Sequence, residues 1–139
     1  MTVTFEILGD PKGKGRHRSA VVGGKIRTYT PEATASYENL VKVMYLQQVG
    51  NKRLQGAIHA DIVAFYTIPK SWTKKRKQAA EEGAQRPQTK PDCDNIAKII
   101  LDSLNGIAYD DDKQVVSMTI CKYYGDTAKV VVGLREIAR

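Results

Sequence analysis

The sequence is poor in the residue types that zinc sites and disulfide frameworks require. Its 139 residues include only two cysteines and two histidines. Cys93 and Cys121 form no CxxC pair and fit no zinc-ligand spacing, so neither kind of framework is expected. In a reducing compartment both thiols should remain free.

Long apolar segments are also lacking, although 42% of the residues are hydrophobic. No apolar run is long enough to cross a membrane. The N-terminal segment MTVTFEILGD carries charge too early for a secretory signal. Internal repeats and low-complexity tracts are absent as well. We therefore expect a cytoplasmic protein with no membrane partner, folded as a single domain over residues 1–139.

Acidic residues are the minority among the charged residues. The chain has 22 Lys and Arg residues against 15 Asp and Glu residues, which gives a net charge of +7. Such a balance favours an anionic partner, such as nucleic acid, a phosphate ester or an acidic membrane surface. On charge alone, a basic protein without such a partner is an equally good interpretation.

Hydrophobic periodicity and turn residues predict both strands and helices along the chain. Strands are predicted at residues 2–7, 57–68, 115–124 and 129–134, the last two as a terminal hairpin. A further hairpin, residues 20–30, turns at Gly23-Gly24. Helices are predicted at residues 30–50, 71–83 and 94–104.

The few acids are unevenly distributed, because six aspartates lie within residues 90–116: Asp92, Asp94, Asp102, Asp110, Asp111 and Asp112. Asp92 and Asp94 stand at the start of the third helix, where one such residue commonly caps the helix. Asp94, Lys98 and Asp102 recur at four-residue intervals and so share one helix face. A salt-bridge ladder and a solvated turn would explain these acids without any site.

A metal site is the interpretation that the spacing favours. The turn at Asn105-Gly106 sends the chain back along the helix, so one of the later aspartates should return partway toward its start. Carboxylates suit Mg²⁺ or Mn²⁺ rather than zinc, and Cys93, the one thiol in this stretch, fits no zinc-ligand spacing. Such an ion lowers the pKa of bound water and offsets phosphoryl charge, while Lys98 could stabilise that charge or position the water.

Basic residues concentrate in two segments that could follow a phosphate backbone. The first is the glycine-rich loop PKGKGRHR, residues 11–18, and the second is the run at residues 74–77. A solvated surface is the commoner explanation for any single basic run. The predicted DNA contacts are Lys12, Lys14, Arg16, Arg18, Arg27, Lys74, Lys75, Arg76 and Lys77.

The segment PDCDNIAKIILDSLNGIAYDDDKQVV, residues 91–116, resembles the central motif of RusA-type Holliday junction resolvases. That motif has an Asp-x-Asp-Asn helix start, a following lysine, a Leu-Asp-x-Leu segment and then Asp-Asp-x-Gln-Val. The segments PKGKGRHR and TYTPEATASYENLV resemble the basic loop and the next helix of that family.

The resemblance assigns catalytic roles to residues of this chain. The paired helix-start acids match Asp92 and Asp94, and the essential lysine matches Lys98. The third acid, just before x-Gln, matches Asp112, with Asp111 as an alternative because three aspartates stand in this run. The three acids would bind the metal.

The resemblance also implies an α/β (α+β) fold with a mixed sheet packed with helices, a homodimer, and Mg²⁺-dependent paired cuts across a four-way junction. Roles in DNA recombination and repair follow from this activity, and a prophage origin is expected because phages and prophages encode many members. Two alternatives remain open: a non-catalytic DNA-binding module, and a small phosphohydrolase that acts on nucleotides.

Overall fold

The computed structural model describes residues 1–15, 18–29 and 32–138, and within 18–29 the side chains of residues 21 and 23–27. The start predicted for the first long helix, Thr30-Pro31, lies outside these residues. Within the described residues, six strands and three helices follow one another in the order β1 Thr2–Leu8, β2 Arg18–Val22, β3 Lys25–Tyr29, α1 Glu32–Gln48, β4 Ile58–Thr67, α2 Lys74–Glu81, α3 Cys93–Ser103, β5 Val115–Gly125 and β6 Lys129–Glu136.

Four strands form one mixed sheet in the order β1-β6-β4-β5. β4 runs parallel to β5 and antiparallel to β6, and β1 runs antiparallel to β6. A mixed sheet packed with helices confirms the predicted fold class, and the arrangement is α+β.

The prediction that residues 115–124 and 129–134 form a terminal hairpin is wrong, because β4 lies between β5 and β6. Four alternating residues of β4 are fully buried, which favours a central position with a neighbour on each side: Ile58, Ala60, Ile62 and Ala64. Residues 126–128 need to cross only one strand, roughly 10 Å, which three residues can span.

The predicted hairpin at Gly23-Gly24 is confirmed, and it forms a separate two-stranded sheet of β2 and β3. Gly23 and Gly24 have φ values of 58° and 77°. Both lie in the left-handed region, which a two-residue hairpin turn of this kind requires and which glycine adopts at little cost.

The core lies between the sheet and the helices α1 and α3. The buried apolar stripe of α3 is the one that its sequence predicts, and it comprises Ile96, Ile99, Ile100 and Leu104. From α1, Tyr45 is fully buried and packs edge-to-face on Phe5 of β1. Because burial of its apolar stripe fixes how α3 is rotated, the polar side of α3 is turned away from the core. Within the described residues, no helix has the length and apolar character needed to span a bilayer.

Candidate active site

The start of α3 holds two of the predicted site residues. Asp92 occupies the N-cap position with an extended backbone, yet its side chain makes no capping hydrogen bond. Asp94 follows in the first turn and is exposed. The helix-capping explanation therefore accounts for the position of Asp92 but not for any use of its carboxylate.

The far end of α3 holds the third predicted acid. The amide of Asp112 donates a 2.7 Å hydrogen bond to Oδ1 of Asn105, which fixes the returning chain beside the helix end. The carboxyl group of Asp112 lies within hydrogen-bonding reach of Asp102 and Asp111. Partial burial and then these two acidic neighbours raise the pKa of Asp112 to about 6.

The carboxylate of Asp111, unlike that of Asp112, caps a turn of the backbone. It accepts a 2.8 Å hydrogen bond from the amide of Lys113, and Gln114 Oε1 accepts from the amide of Asp111 at 3.1 Å. These two bonds form a capping box for a short 3₁₀ turn, Asp112–Gln114. The amide of Lys113 is the main cause that lowers the pKa of Asp111. This carboxylate is thus committed to the local backbone.

The acidic run returns only partway along the helix. Asp112 meets Asp102 near the last turn of α3, whereas Asp94 lies eight residues earlier, about 12 Å along the helix axis. Lys98 is exposed and stands between Asp94 and Asp102 in sequence. In the described parts of the chain, no three Asp, Glu, His or Cys side chains are grouped closely enough to hold a metal ion. Joint ligation by Asp92, Asp94 and Asp112 stays a prediction.

The glycine-rich loop packs directly against α3. The amide of Lys14 donates to the carbonyl oxygen of Asn95 at 3.2 Å. A Cβ atom on Gly13 would lie 2.9 Å from Cβ of Pro91 and 3.0 Å from Cβ of Asn95, so no larger residue fits without movement. The ammonium group of Lys14 lies 2.8 Å from Glu38 Oε2 and 3.4 Å from Asp102 Oδ2.

A cavity of about 400 Å³ opens beside the start of α3. Two lysines are among its lining residues, which are Asp10, Pro11, Lys12, Gly13, Tyr66, Thr67, Lys90 and Pro91. The Tyr66 hydroxyl donates to the carbonyl oxygen of Pro91 at 3.2 Å. Burial, together with the nearby Cys93 and Asp92, raises the pKa of Tyr66 to about 12, so this hydroxyl stays neutral. The charged residues of the lining are thus two lysines and one aspartate, Asp10.

The second basic segment forms α2, which packs against β5. Lys74 and Lys75 are exposed, whereas the guanidinium of Arg76 lies 3.7 Å from the ring centroid of Trp72. Lys77 is half-buried. Arg76 thus makes a cation–π contact with Trp72, while the two preceding lysines face solvent.

The remaining predicted DNA contacts lie in or near the β2–β3 hairpin. Arg27 is exposed on β3. Arg16 and the side chain of Arg18 lie outside the described residues.

Sequence reasoning missed three contributors to this region: Glu38, Tyr66 and Asn95. Glu38 and Tyr66 come from α1 and β4, far from the aspartate run in sequence, and no local pattern links them to it. Asn95 stands within the Asp-x-Asp-Asn motif, so its position could have been noted from the sequence. Its contact with the loop is made by the main-chain carbonyl, which no residue type reveals.

Comparisons with known proteins identify the family of the chain. The sequence matches the family described as endodeoxyribonuclease RusA over residues 9–135, from the glycine-rich loop into β6. It is 33% identical over 138 residues to the uncharacterised protein YqaN of Bacillus subtilis (strain 168), and this alignment covers 98% of the chain and 97% of that protein. The resemblance noted in the sequence is confirmed by the family match.

Proposed function

We propose that this chain, which belongs to the RusA endodeoxyribonuclease family, nicks four-way DNA junctions in symmetric pairs. Membership of that family implies an endonuclease that resolves Holliday junctions. The observation that carries this proposal is the row of acids on the outer side of α3, set in a chain of net charge +7. A polyanion is attracted by the basic surface, while the acids suit a cation that promotes hydrolysis.

The chemistry of the proposed donors, rather than their spacing in this structure, fits a hard divalent cation. All three proposed ligands, Asp92, Asp94 and Asp112, offer carboxylate oxygens, which Mg²⁺ and Mn²⁺ prefer. Asp92 makes no capping bond that would compete with a metal. Asp112 is crowded by other carboxylates, and a cation would relieve that repulsion. Asp111 already caps a turn, which supports Asp112 as the third ligand.

The chemistry is the hydrolysis of a phosphodiester by water. When bound, Mg²⁺ supplies Lewis acidity toward the water and the phosphoryl oxygens. Lys98 is exposed on the same helix, where its ammonium group would stabilise negative charge on the attacked phosphate. The products would be a 5′-phosphate and a 3′-hydroxyl.

Basic surfaces on several elements would hold the DNA. Lys12 and Lys90 line the cavity at the start of α3, and Arg27 extends along the hairpin. Lys74 and Lys75 add an exposed patch on α2. We propose that the protein acts as a homodimer in the cytoplasm, on junctions formed during DNA recombination and repair, because two equivalent sites match a two-fold junction.

Cleavage assays on matched DNA substrates test this function. Wild-type protein should nick a synthetic four-way junction symmetrically in Mg²⁺, and should leave a plain duplex and a flap intact. Replacing Asp92, Asp94 or Asp112 by Asn removes one ligand charge while nearly preserving size. Each change should lower the cleavage rate by at least about 100-fold, since even second-shell changes at metal sites cost up to about that much.

Binding assays in chelator separate ligand loss from misfolding. The three Asn variants should bind the junction as well as wild type or better, because a negative charge near phosphate is gone. Lys98→Ala should lose cleavage without tighter binding. Asp110→Asn is the matched control: this residue is exposed and pairs with Arg53 at 3.1 Å, so its change should leave cleavage near normal.

Each alternative function has its own outcome in these experiments. Salt-sensitive junction binding without cleavage would identify a non-catalytic DNA-binding module. Turnover of nucleotides without DNA binding would identify a phosphohydrolase. Normal cleavage by folded Asp92→Asn and Asp94→Asn proteins would contradict the metal assignment.

A further inference from the structure

Lys14 differs from its neighbour Lys12, because most of its side chain is covered and its ammonium group is paired with carboxylates. Only 16% of the Lys14 side chain is exposed, and its ammonium group contacts both Glu38 and Asp102. Lys12, two residues earlier in the same loop, is exposed. A lysine that neutralises two carboxylates has little charge left for a DNA phosphate.

The main chain of Lys14 contacts the start of α3, whereas the end of its side chain contacts the last turn of the same helix. Its amide binds the Asn95 carbonyl in the first turns of the helix, whereas its ammonium group reaches Asp102 in the last turn. Asn95 and Asp102 are seven residues apart, about 10 Å along the helix and nearly on one face. The Lys14 side chain therefore runs along the polar side of α3.

The loop around Lys14 is held by α1 as well. The amide of Gly15 donates to Oγ1 of Thr34 at 3.1 Å, and Glu38 lies one helical turn further along α1. Together with the tight approach of Gly13 to Pro91, these contacts fix the loop between two helices. The ammonium group is consequently delivered to Asp102 by a well-anchored backbone.

Resting on the proposed function, we infer that Lys14 is a positioning residue of the metal site, which holds Asp102 in place and through it the neighbouring Asp112. The Asp102 carboxyl lies within hydrogen-bonding reach of Asp112, and Lys14 is its cationic partner. Without the ammonium group, repulsion between the two carboxylates would drive them apart. Lys14 would thus act on cleavage without touching DNA.

Lys14→Met tests this inference, because it keeps the length and apolar stem of the side chain and removes its charge. Lys12→Met is the matched control in the same loop. We expect Lys14→Met to weaken the binding of Mn²⁺ to the DNA-free protein by about tenfold, the low end of the effect of second-shell changes at metal sites. Paramagnetic resonance titration of free Mn²⁺ measures this affinity, and Lys12→Met should not change it.

DNA binding should respond in the opposite way. In chelator, Lys12→Met should reduce the slope of log affinity against log salt by about one unit, and Lys14→Met should leave it unchanged. In Mg²⁺, Lys14→Met should lower the single-turnover cleavage rate at saturating enzyme by about tenfold. Lys14→Arg keeps the charge, so it should recover much of the Mn²⁺ affinity.

Two results would overturn the inference: a Mn²⁺ affinity for Lys14→Met equal to that of wild type, or no Mn²⁺ binding by wild type. Should Lys14→Met fail to fold, Lys14→Gln against Lys14→Arg makes the same comparison, with loss of Mn²⁺ affinity expected only for the uncharged variant. Wild type that binds Mn²⁺ but cuts no junction would refute the proposed function alone. The effect of Lys14 on Mn²⁺ would still test the positioning role.

Discussion

Three consecutive aspartates, residues 110–112, have three different environments. Asp110 is exposed and pairs with Arg53, Asp111 caps the turn that follows, and Asp112 faces Asp102. From one aspartate of this run to the next, the partner of the carboxylate therefore changes from a cation to a backbone amide and then to a second carboxylate. The chemical identity of the three residues is the same, so their roles are set by the backbone that carries them.

The raised pKa of Asp112 predicts a pH-dependent stability of the metal-free protein. The folded protein binds this proton more tightly than the unfolded chain, since the pKa is about 6 instead of 3.8. The resulting stabilisation is complete below about pH 4 and is lost as the pH rises through about 6. Asp112→Asn has no such proton to lose.

Thermal unfolding in chelator measures this difference. The melting temperature of Asp112→Asn relative to wild type should be higher at pH 7.5 than at pH 4.5. Asp110→Asn, whose carboxylate pairs with a cation, should show no corresponding gain at pH 7.5. A difference between Asp112→Asn and wild type that stays constant over this range would mean that folding does not favour the Asp112 proton.

At the level of single residues, the sequence predicted positions better than partners. Four-residue spacing correctly places Asp94, Lys98 and Asp102 on one side of α3, because helix geometry is local. The contact between Asp102 and Asp112 depends on how residues 105–111 turn back, and the contact of Lys14 depends on how the loop packs against two helices. Both are tertiary effects that no spacing encodes.

The β2–β3 hairpin forms a two-stranded sheet of its own, separate from the main sheet. Its register places Lys25 and Arg27 on one face and Val21 and Ile26 on the other. Val21 and Ile26 are 75% and 76% exposed. Residues 18–29 contain basic residues but no Asp or Glu. An extended, basic two-stranded ribbon has the dimensions and charge to enter the major groove of DNA.

Charge removal on this hairpin should weaken the salt dependence of junction binding. Lys25→Ala combined with Arg27→Ala should reduce the slope of log affinity against log salt by about one to two units, since each neutralised phosphate contributes about 0.9. Val21→Thr with Ile26→Thr is the control, because it alters the opposite face without changing charge. Gel shifts at several salt concentrations give both slopes. Equal slopes for wild type and the charge variant would place the hairpin away from DNA.

At the level of elements, local signals predicted the helices and strands but not the strand order. All four strands of the sheet and the hairpin glycines follow from periodicity and turn residues. The adjacency of β5 and β6 in sequence suggested a hairpin, whereas the buried stripe of β4 gives it the central place between them. Long-range burial decided against the short connection.

Charge is distributed unevenly over the whole molecule. The acids of α3 lie in a chain that is otherwise basic, and two copies would carry 2 × (+7) = +14. Steering of DNA by such a surface is long-ranged at low salt, while repulsion between the site acids and phosphate is local. A dimer would therefore keep a favourable field for DNA even though each proposed active site is acidic.

One edge of the main sheet is suited to meet a second copy of the chain. β5 lies at that edge, with no strand on its outer side among those described. Its segment Val115–Cys121 is uncharged, so two copies could pair there without repulsion between like charges. Val116 and Met118 on this edge are 62% and 51% exposed. Such pairing would relate two active sites by a two-fold axis.

Light scattering at micromolar concentration tests the homodimer, which should have a mass of 2 × 15.4 = 30.8 kDa. Val116→Lys with Met118→Lys would place four ammonium groups at the paired edge, and their repulsion should shift the protein to monomers. Val21→Lys is the control, since it adds charge at an exposed valine outside β5 and should leave the dimer intact. A monomeric edge variant should nick junction strands singly, because paired cuts require two sites held on one junction. A 15.4 kDa wild-type protein with full resolving activity would contradict the dimer and with it the two-fold geometry of the cuts.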